Sequence, residues 1–426
     1  MPLIEMMLRG FRVDPGKREL AIQLVKADMA RLDHIIQTLV NAVWLKGINP
    51  NSGDQLKDLF YNHLGIRPIT IWVKGELKYP MDRQVLEKIE DYFQARPIVS
   101  AILAFRDMEK QLQVLTKQVD PDWRMRTSYN IGGTKTARFS SSKSPTGTGD
   151  NLQNVAEHLR HVFITDPGMI LCGIDAEQSD SRMVGYMCGM LFSDWSYLDA
   201  CESSDLHTVV ARMVWPELPW TGDDLEDRAI AARPFYRHHS YRNACKHMGH
   251  GTNFLGKGTS ISKQTGVPTK LVDEFRERYF DKYPCIPRLQ AWTAEQIQRN
   301  KRLTTIHGRT RDFFDRPEAD ETIRKGMAYL AAAATADNLN LGMWRIWKHM
   351  PEVQLLAQVH DAVYFQFRED MDRRAIVKKA QDLCVTTLRC GQRQFTVPTV
   401  AKLGYNWGDV SPINPKGLDK PDYYYV

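Results

Sequence analysis

Two apolar runs far apart in the chain each deliver an aspartate to the end of a strand, and this pairing constrains the fold more than any other feature. Residues 169–174 (Met-Ile-Leu-Cys-Gly-Ile) run into Asp175, while in residues 355–367 Val359, Val363, Tyr364 and Phe365 alternate with polar residues around a sharp turn carrying Asp361. Runs of this kind read as β-strands. A carboxylate at the mouth of a buried strand is costly to leave unpaired, so it pairs with arginine, accepts backbone hydrogen bonds or binds a metal. For one such aspartate alone the structural role is the simpler reading. A pair held a metal ion's width apart would bind two hard divalent cations, one activating an attacking oxygen and the other stabilising the leaving oxygen of an in-line displacement. That is phosphoryl-transfer chemistry.

A matching cationic surface lies between the two strands. In residues 241–254, Arg242, Lys246, His250 and Phe254 recur every four positions, on one face of a predicted helix. Arginine and lysine there suit a triphosphate, lysine can also give a proton to departing pyrophosphate, and the two rings can flank a base or sugar. Gly249 and Gly251 weaken a helix, which predicts close approach of another surface. Two other readings compete. Gly251, Gly256 and Lys257 nearly spell a phosphate-binding P-loop, but Gly258 stands where a hydroxyl would hold magnesium and no apolar strand precedes. His238, His239, Cys245, His247 and His250 could suggest zinc, but their spacing matches no known ligand set. Around this helix, residues 228–311 hold 17 Lys and Arg against 5 Asp and Glu, within a chain of net charge only +6. Such a run is ordinarily a solvated face; next to the helix it reads as a phosphate-neutralising surface.

The rest of the chain bounds the answer. At 426 residues and 43% hydrophobic it is too long for one ordinary domain, so two or three lobes are expected. Seven cysteines without a C-x-x-C pair argue against a disulfide framework or zinc ribbon and for a reducing cytoplasm. No signal-like start and no long apolar run occurs, so the expectation is a soluble, unexported protein away from membranes. Helical periodicity covers residues 14–47, with Asp14 and Pro15 as its start, then 54–64 and a long run 82–119. Residues 128–154 are rich in Gly, Ser and Thr and read as loop. Helices are expected from 181 to about 302.

With these residues in hand, the sequence resembles the family A (polymerase I-like) DNA polymerases over nearly its whole length. Residues 136–142 and 151–154 are similar to that family's T-G-R-L-S-S and N-L-Q-N pair, which implies that Arg138, Gln153 and Asn154 touch primer-template DNA in the minor groove, testing shape rather than sequence. Residues 175–182 resemble D-Y-S-Q-I-E-L-R, which implies Asp175 and the Ala176 carbonyl as metal ligands, Gln178 beside the nucleotide, and Asp180, one methylene shorter than the family's Glu, as the ribose sensor. The helix above looks like R-x3-K-x3-F/Y-G-x2-Y, so Arg242, Lys246, His250 and Phe254 would bind the incoming triphosphate, with His250 and Phe254 in place of the usual rings. Residues 358–362 are similar to Q-V-H-D-E, implying Asp361 as the second metal ligand and His360 at the primer end, with Ala362 in place of Glu. Weaker matches put His207, within Asp205-Leu206-His207-Thr208, near the triphosphate and Arg324 on template or primer, although alanine (Ala332) replaces an expected Gln. Asn51, Gln55 and Leu56 resemble the family thumb and residues 404–407 its terminal palm segment.

The resemblance implies an α+β right-hand fold: thumb at 1–128, first part of the palm at 129–182, fingers at 183–300 and second part of the palm at 301–426. It implies a DNA-directed DNA polymerase working with two Mg2+, replaceable by Mn2+, with catalysis by Asp175, Asp361 and Lys246. Because the chain enters the thumb near Met1, no 3′-5′ proofreading domain is expected. A separate nuclease, helicase or single-strand-binding protein would be its partner, the enzyme itself being monomeric, and the small size would suit a viral or plasmid enzyme. Two rivals remain: a single-subunit RNA polymerase, which shares the palm logic, and a catalytically silent DNA-binding remnant.

Overall fold

The aspartate-bearing strands form the middle of one antiparallel sheet. The structure, a computed structural model, describes residues 1–73, 76–203, 205–236 and 239–421. In its four-stranded sheet the order is Gln354–Val359, Ala362–Arg368, Met169–Ala176, Thr399–Gly404. Ile170, Cys172 and Ile174 point to one face, where Val363, Phe365, Phe367 and Ala401 join them against the helix Arg373–Cys384 and the second half of the long helix Asp320–His349. Leu171 lies on the opposite face, with Trp407, Phe11 and Phe163. The edge strand feeds both cores because a bulge between Leu355 and Ala357 shifts its register. Gly173 is required here: a Cβ would lie 2.7 Å from the Tyr364 ring on the neighbouring strand.

A helical lobe precedes the sheet. Its first helix, Pro15–Asn41, starts as the sequence predicts: the Asp14 carboxylate accepts from the Lys17 N–H at 3.0 Å and Pro15 fills a first-turn position that needs no N–H. It packs on Arg96–Thr116, and Ile36, Val40, Leu56, Phe60, Leu86, Ile89 and Ile102 close a core of their own. The run 82–119 is not one helix. It breaks into Arg83–Ile89 and Arg96–Thr116, because Pro97 has no N–H to give and is tolerated only in a first turn. Residues 54–64 form Gly53–Lys57 and then a widened turn, Asp58–His63. The helix Pro2–Arg9 and the strand Phe11–Val13 pack on the central sheet instead, Met6 in one core and Phe11 in the other.

Residues 128–154, read as loop, contain a hairpin, Thr127–Asn130 against Ser140–Lys143, and a short turn of helix at Leu152–Asn154. Polar composition hid it; Tyr129 and Phe139 anchor it by burying their rings beside the sheet. The middle of the chain is helical, from Ser179–Phe192 to Cys285–Asn300, interrupted by a small hairpin, and shares a large core with the first half of Asp320–His349. All seven cysteines are free. Among the described residues no helix is long and apolar enough to cross a membrane.

Candidate active site

The sheet brings the two aspartates together by register. Ala362 pairs with Asp175, and the turn between strands places Asp361 one residue before it, with the Ala176 N–H donating to the Asp361 carbonyl at 3.2 Å. His360 takes a left-handed φ of 54°, which makes the turn tight. The protein packed around Asp175 and then the charge of Asp361 push its carboxyl up to about 6, against the opposing pull of Lys402 and Lys246. Its side chain is nonetheless open to the cleft, so water screens part of that effect. Burial raises Asp361 too, opposed by Arg138, whose Nη2 lies 3.0 and 3.2 Å from its two oxygens and 3.5 Å from Asp180. Gln153 braces the turn: its amide donates to the Gln358 side chain at 3.2 Å, and Gln358 donates to the His360 carbonyl at 2.5 Å.

The cationic face comes from the helix Tyr241–Asn253, capped by Ser240 accepting from the Asn243 N–H at 3.1 Å. Arg242 makes a bidentate pair with Asp205, 2.7 and 2.8 Å. Burial alone would raise Asp205, but hydrogen bonds from Arg242 and Thr208 hold it down at about 2. Burial lowers His207 to about 4, Asp205 opposing and Arg242, Lys246 and His250 adding to it. The same crowding lowers His250, which Asp180 opposes, and its ring lies 4.6 Å from that of Phe254. Asp180 accepts from the Thr335 hydroxyl at 2.9 Å. Gln178, left-handed at φ 50°, leaves its buried Oε1 without a hydrogen-bond partner among the described residues, as does Arg138 its Nε.

Asp175, Asp361, Arg138, Asp180, Lys246, His250 and Phe254 are thus one site, with Arg242 and His207 beside it. Other predicted residues stand apart. Arg324 is exposed, roughly three turns or about 16 Å along the long helix from Thr335. Asn154 is exposed beyond Gln153, and His360 is exposed at the turn, acting on Asp361 only through its charge. The sequence reading missed three residues that touch the site: Thr335, Asp205 as the partner of Arg242, and Lys402, which pairs with Asp409 at 2.8 Å. Only Lys402 left a signal, a lone cation within an apolar strand. Beside Asp175 a cavity of about 450 Å³ is lined by Tyr364, Arg160, Lys402 and Trp407 and walled by the turns around Asn414.

The competing readings of the helix can be judged here. Gly251 lies inside the helix and Gly258 opens another, so helix rather than an apolar strand leads into the glycines and no P-loop forms. A Cβ on Gly251 would lie 2.8 Å from Ile261, the predicted close approach; at Gly249 the nearest atom is an ordinary 3.8 Å away, and that glycine has no such cause. Of the zinc-like set, His238 lies outside the described residues and Cys245 is fully buried, about 140° around the helix from His250. Asp175, Asp361 and the Ala176 carbonyl are hard oxygen donors. No cluster of three or more His, Cys, Asp or Glu is gathered among the described residues. A pair of carboxylates is the donor set that magnesium takes, since it keeps much of its water and uses substrate phosphates for the rest.

Residues 19–409 match the model of DNA polymerase family A. The thermostable DNA polymerase I of Thermus filiformis is 26% identical over 405 residues, covering 89% of this chain and 44% of that protein. DNA polymerase I of Chloroflexus aurantiacus is 25% identical over 449 residues, 97% of this chain and 43% of that one. Among solved structures, the POL domain of Pol1 from M. smegmatis, in complex with DNA primer-template and dNTP, superposes with a TM-score of 0.71 at 21% identity, over 93% of this chain and 66% of that one. The chain spans less than half the length of these curated relatives.

Proposed function

The chain belongs to DNA polymerase family A, and from that premise we propose that it is a DNA-directed DNA polymerase, extending a primer 3′-hydroxyl with deoxynucleoside triphosphates. The observation that carries the reading is the convergence of Asp175 and Asp361, on paired strands, with the face of Arg242, Lys246 and His250. In this reading the sheet is the palm, the middle helices the fingers, and the helical lobe ending near residue 128 the thumb, with Pro2–Arg9 and Phe11–Val13 resting on the palm.

Two Mg2+, or Mn2+ in their place, would be held by Asp175, Asp361 and the Ala176 carbonyl, and when bound supply activation of the attacking oxygen and stabilisation of the leaving one. The chain's own residues do the rest. The cavity beside Asp175 takes the primer terminus, where Arg160 and Lys402 meet its phosphates. Arg138, lying between Asp180 and Asp361, reads the minor-groove edge of the terminal pair, with Gln153 and Asn154 behind it. Lys246, exposed on the cleft, takes the triphosphate and donates a proton to departing pyrophosphate. Arg242 joins it by exchanging the Asp205 carboxylate for phosphate oxygens of like geometry. His207, held below the ordinary histidine range by burial, gives that phosphate a hydrogen bond from its ring. Asp180 meets the sugar, and His250 and Phe254 flank the base.

Primer extension on a DNA template tests this, comparing dNTPs with rNTPs for wild type and Asp361→Ala. Extension with dNTPs that disappears in the variant supports the reading. A preference for rNTPs would make the chain an RNA polymerase, and DNA binding with no extension under any divalent metal would make it a silent remnant.

A further inference from the structure

The proposed ribose sensor is itself held by a side chain from another helix. Thr335 sits mid-way along Asp320–His349 and is 1% exposed. Its hydroxyl donates to Asp180 Oδ1 at 2.9 Å, and the Ser179 hydroxyl lies 2.8 Å from the same Thr335 oxygen. An ionised Asp180 can only accept, so Thr335 must give it the proton, and Thr335 in turn accepts from Ser179. The relay therefore runs one way, Ser179 to Thr335 to Asp180. The other hydrogen-bond partner of Asp180 among the described residues is Arg138 Nη2, at a long 3.5 Å, and that group is closer to Asp361. Phe254, whose ring lies against His250, has no hydroxyl to offer. Thr335 is thus the short bond that fixes where the Asp180 carboxylate stands.

We propose that Thr335 is a positioning residue for sugar selection, holding the short Asp180 side chain in the space that a ribose 2′-hydroxyl would need. The proposal rests on the reading of Asp180 as the sugar sensor. A carboxylate excludes a hydroxyl only if it cannot turn aside. Freed from Thr335, Asp180 would swing toward Arg138, already 3.5 Å away, and open the pocket. The hydroxyl matters, not the bulk: residues 331–334 are all alanine, so this stretch of helix is built for small side chains.

The test is the ratio of kcat/KM for rNTP to that for dNTP, measured on wild type, Thr335→Val, Thr335→Ala, Thr335→Ser and Asp180→Ala, each checked for a cooperative melt. Thr335→Val should raise the ratio on the order of tenfold, the worth of a hydrogen bond to a charged group. Thr335→Ser should restore it, and Thr335→Ala stands in if valine does not fold. A purely structural role would depress both nucleotides alike and leave the ratio where it was. If Asp180→Ala raises the ratio while Thr335→Val and Thr335→Ala do not, the proposal falls and Asp180 keeps its role. If Asp180→Ala leaves the ratio unchanged, the reading of Asp180 fails, and this proposal with it.

Discussion

Asp175 carries a carboxyl pushed up to about 6 by the protein around it and by Asp361. A carboxyl raised on folding binds its proton more tightly in the folded state, so its stabilising effect is full below about pH 4 and is lost as pH climbs through about 6. At pH 7.5 without metal, the ionised pair therefore costs stability. Asp175→Asn should stabilise the fold there by on the order of 1 kcal/mol after solvent screening, seen as a higher melting temperature, and the gain should vanish below about pH 4. A lower melting temperature at pH 7.5 would mean that Lys246 and Lys402 outweigh the repulsion. Magnesium should raise the wild-type melting temperature by mass action, and that increment should be lost in the variant. Arg242 gives a second prediction. Asp205 is 5% exposed, so Arg242→Ala leaves a buried charge alone and should cost about 1–3 kcal/mol in denaturant melts. Adding Asp205→Asn should recover most of that stability, whereas the rise in KM for dNTP should persist. A double variant that recovers both would make Arg242 structural. The aspartates and the cationic face were legible because each rests on local period, two along a strand and four along a helix. The partners of Arg242 and Asp180 were not, because Asp205 and Thr335 reach them across separations of 37 and 155 residues that no local pattern encodes.

At the scale of elements, the site depends on how closely the central strands pack. Gly173 lets the Tyr364 ring lie across the strand that ends in Asp175, and Trp407 holds that ring edge-on at 5.5 Å. Gly173→Ala would put a methyl 2.7 Å from a ring with little room to move. Overpacking of this kind costs about 1–3 kcal/mol, and the displaced ring borders the cavity beside Asp175, so kcat should fall with stability. Denaturant melts beside primer extension check this; a variant as stable and active as wild type would mean that the strands slide apart freely. Element boundaries were less legible than element types. The break before Pro97 and the serine-rich hairpin follow from one missing N–H and from two buried rings, details that periodicity averages away. The aspartate strands read correctly because both faces of their sheet are buried, which keeps residues 169–174 continuously apolar and leaves few polar breaks in the strands around Asp361.

For the whole molecule, sequence order sufficed for the family and its α+β architecture, but the local count of cations overstated what is free to meet a phosphate. Of the 17 cations in residues 228–311, at least seven are already paired with carboxylates: Arg242, Lys257, Lys263, Arg276, Arg299, Arg302 and Arg309. One of these pairs spans the lobes, since Lys263 reaches from the middle helices to Asp91 at 3.2 Å and the Glu87 carbonyl at 2.6 Å. A protein that released a counterion for every cation in the run would lose affinity with a log–log salt slope near −15; with the paired groups withdrawn, and Arg160 and Lys402 added from outside the run, the slope should be no steeper than about −11. Fluorescence anisotropy of a labelled primer-template between about 50 and 300 mM salt measures it. A steeper slope would mean that DNA pulls these pairs open on binding. Lys263→Ala then decides whether the inter-lobe pair is among them: it should flatten the slope by about one if DNA takes over that lysine, and leave it unchanged if Asp91 keeps it.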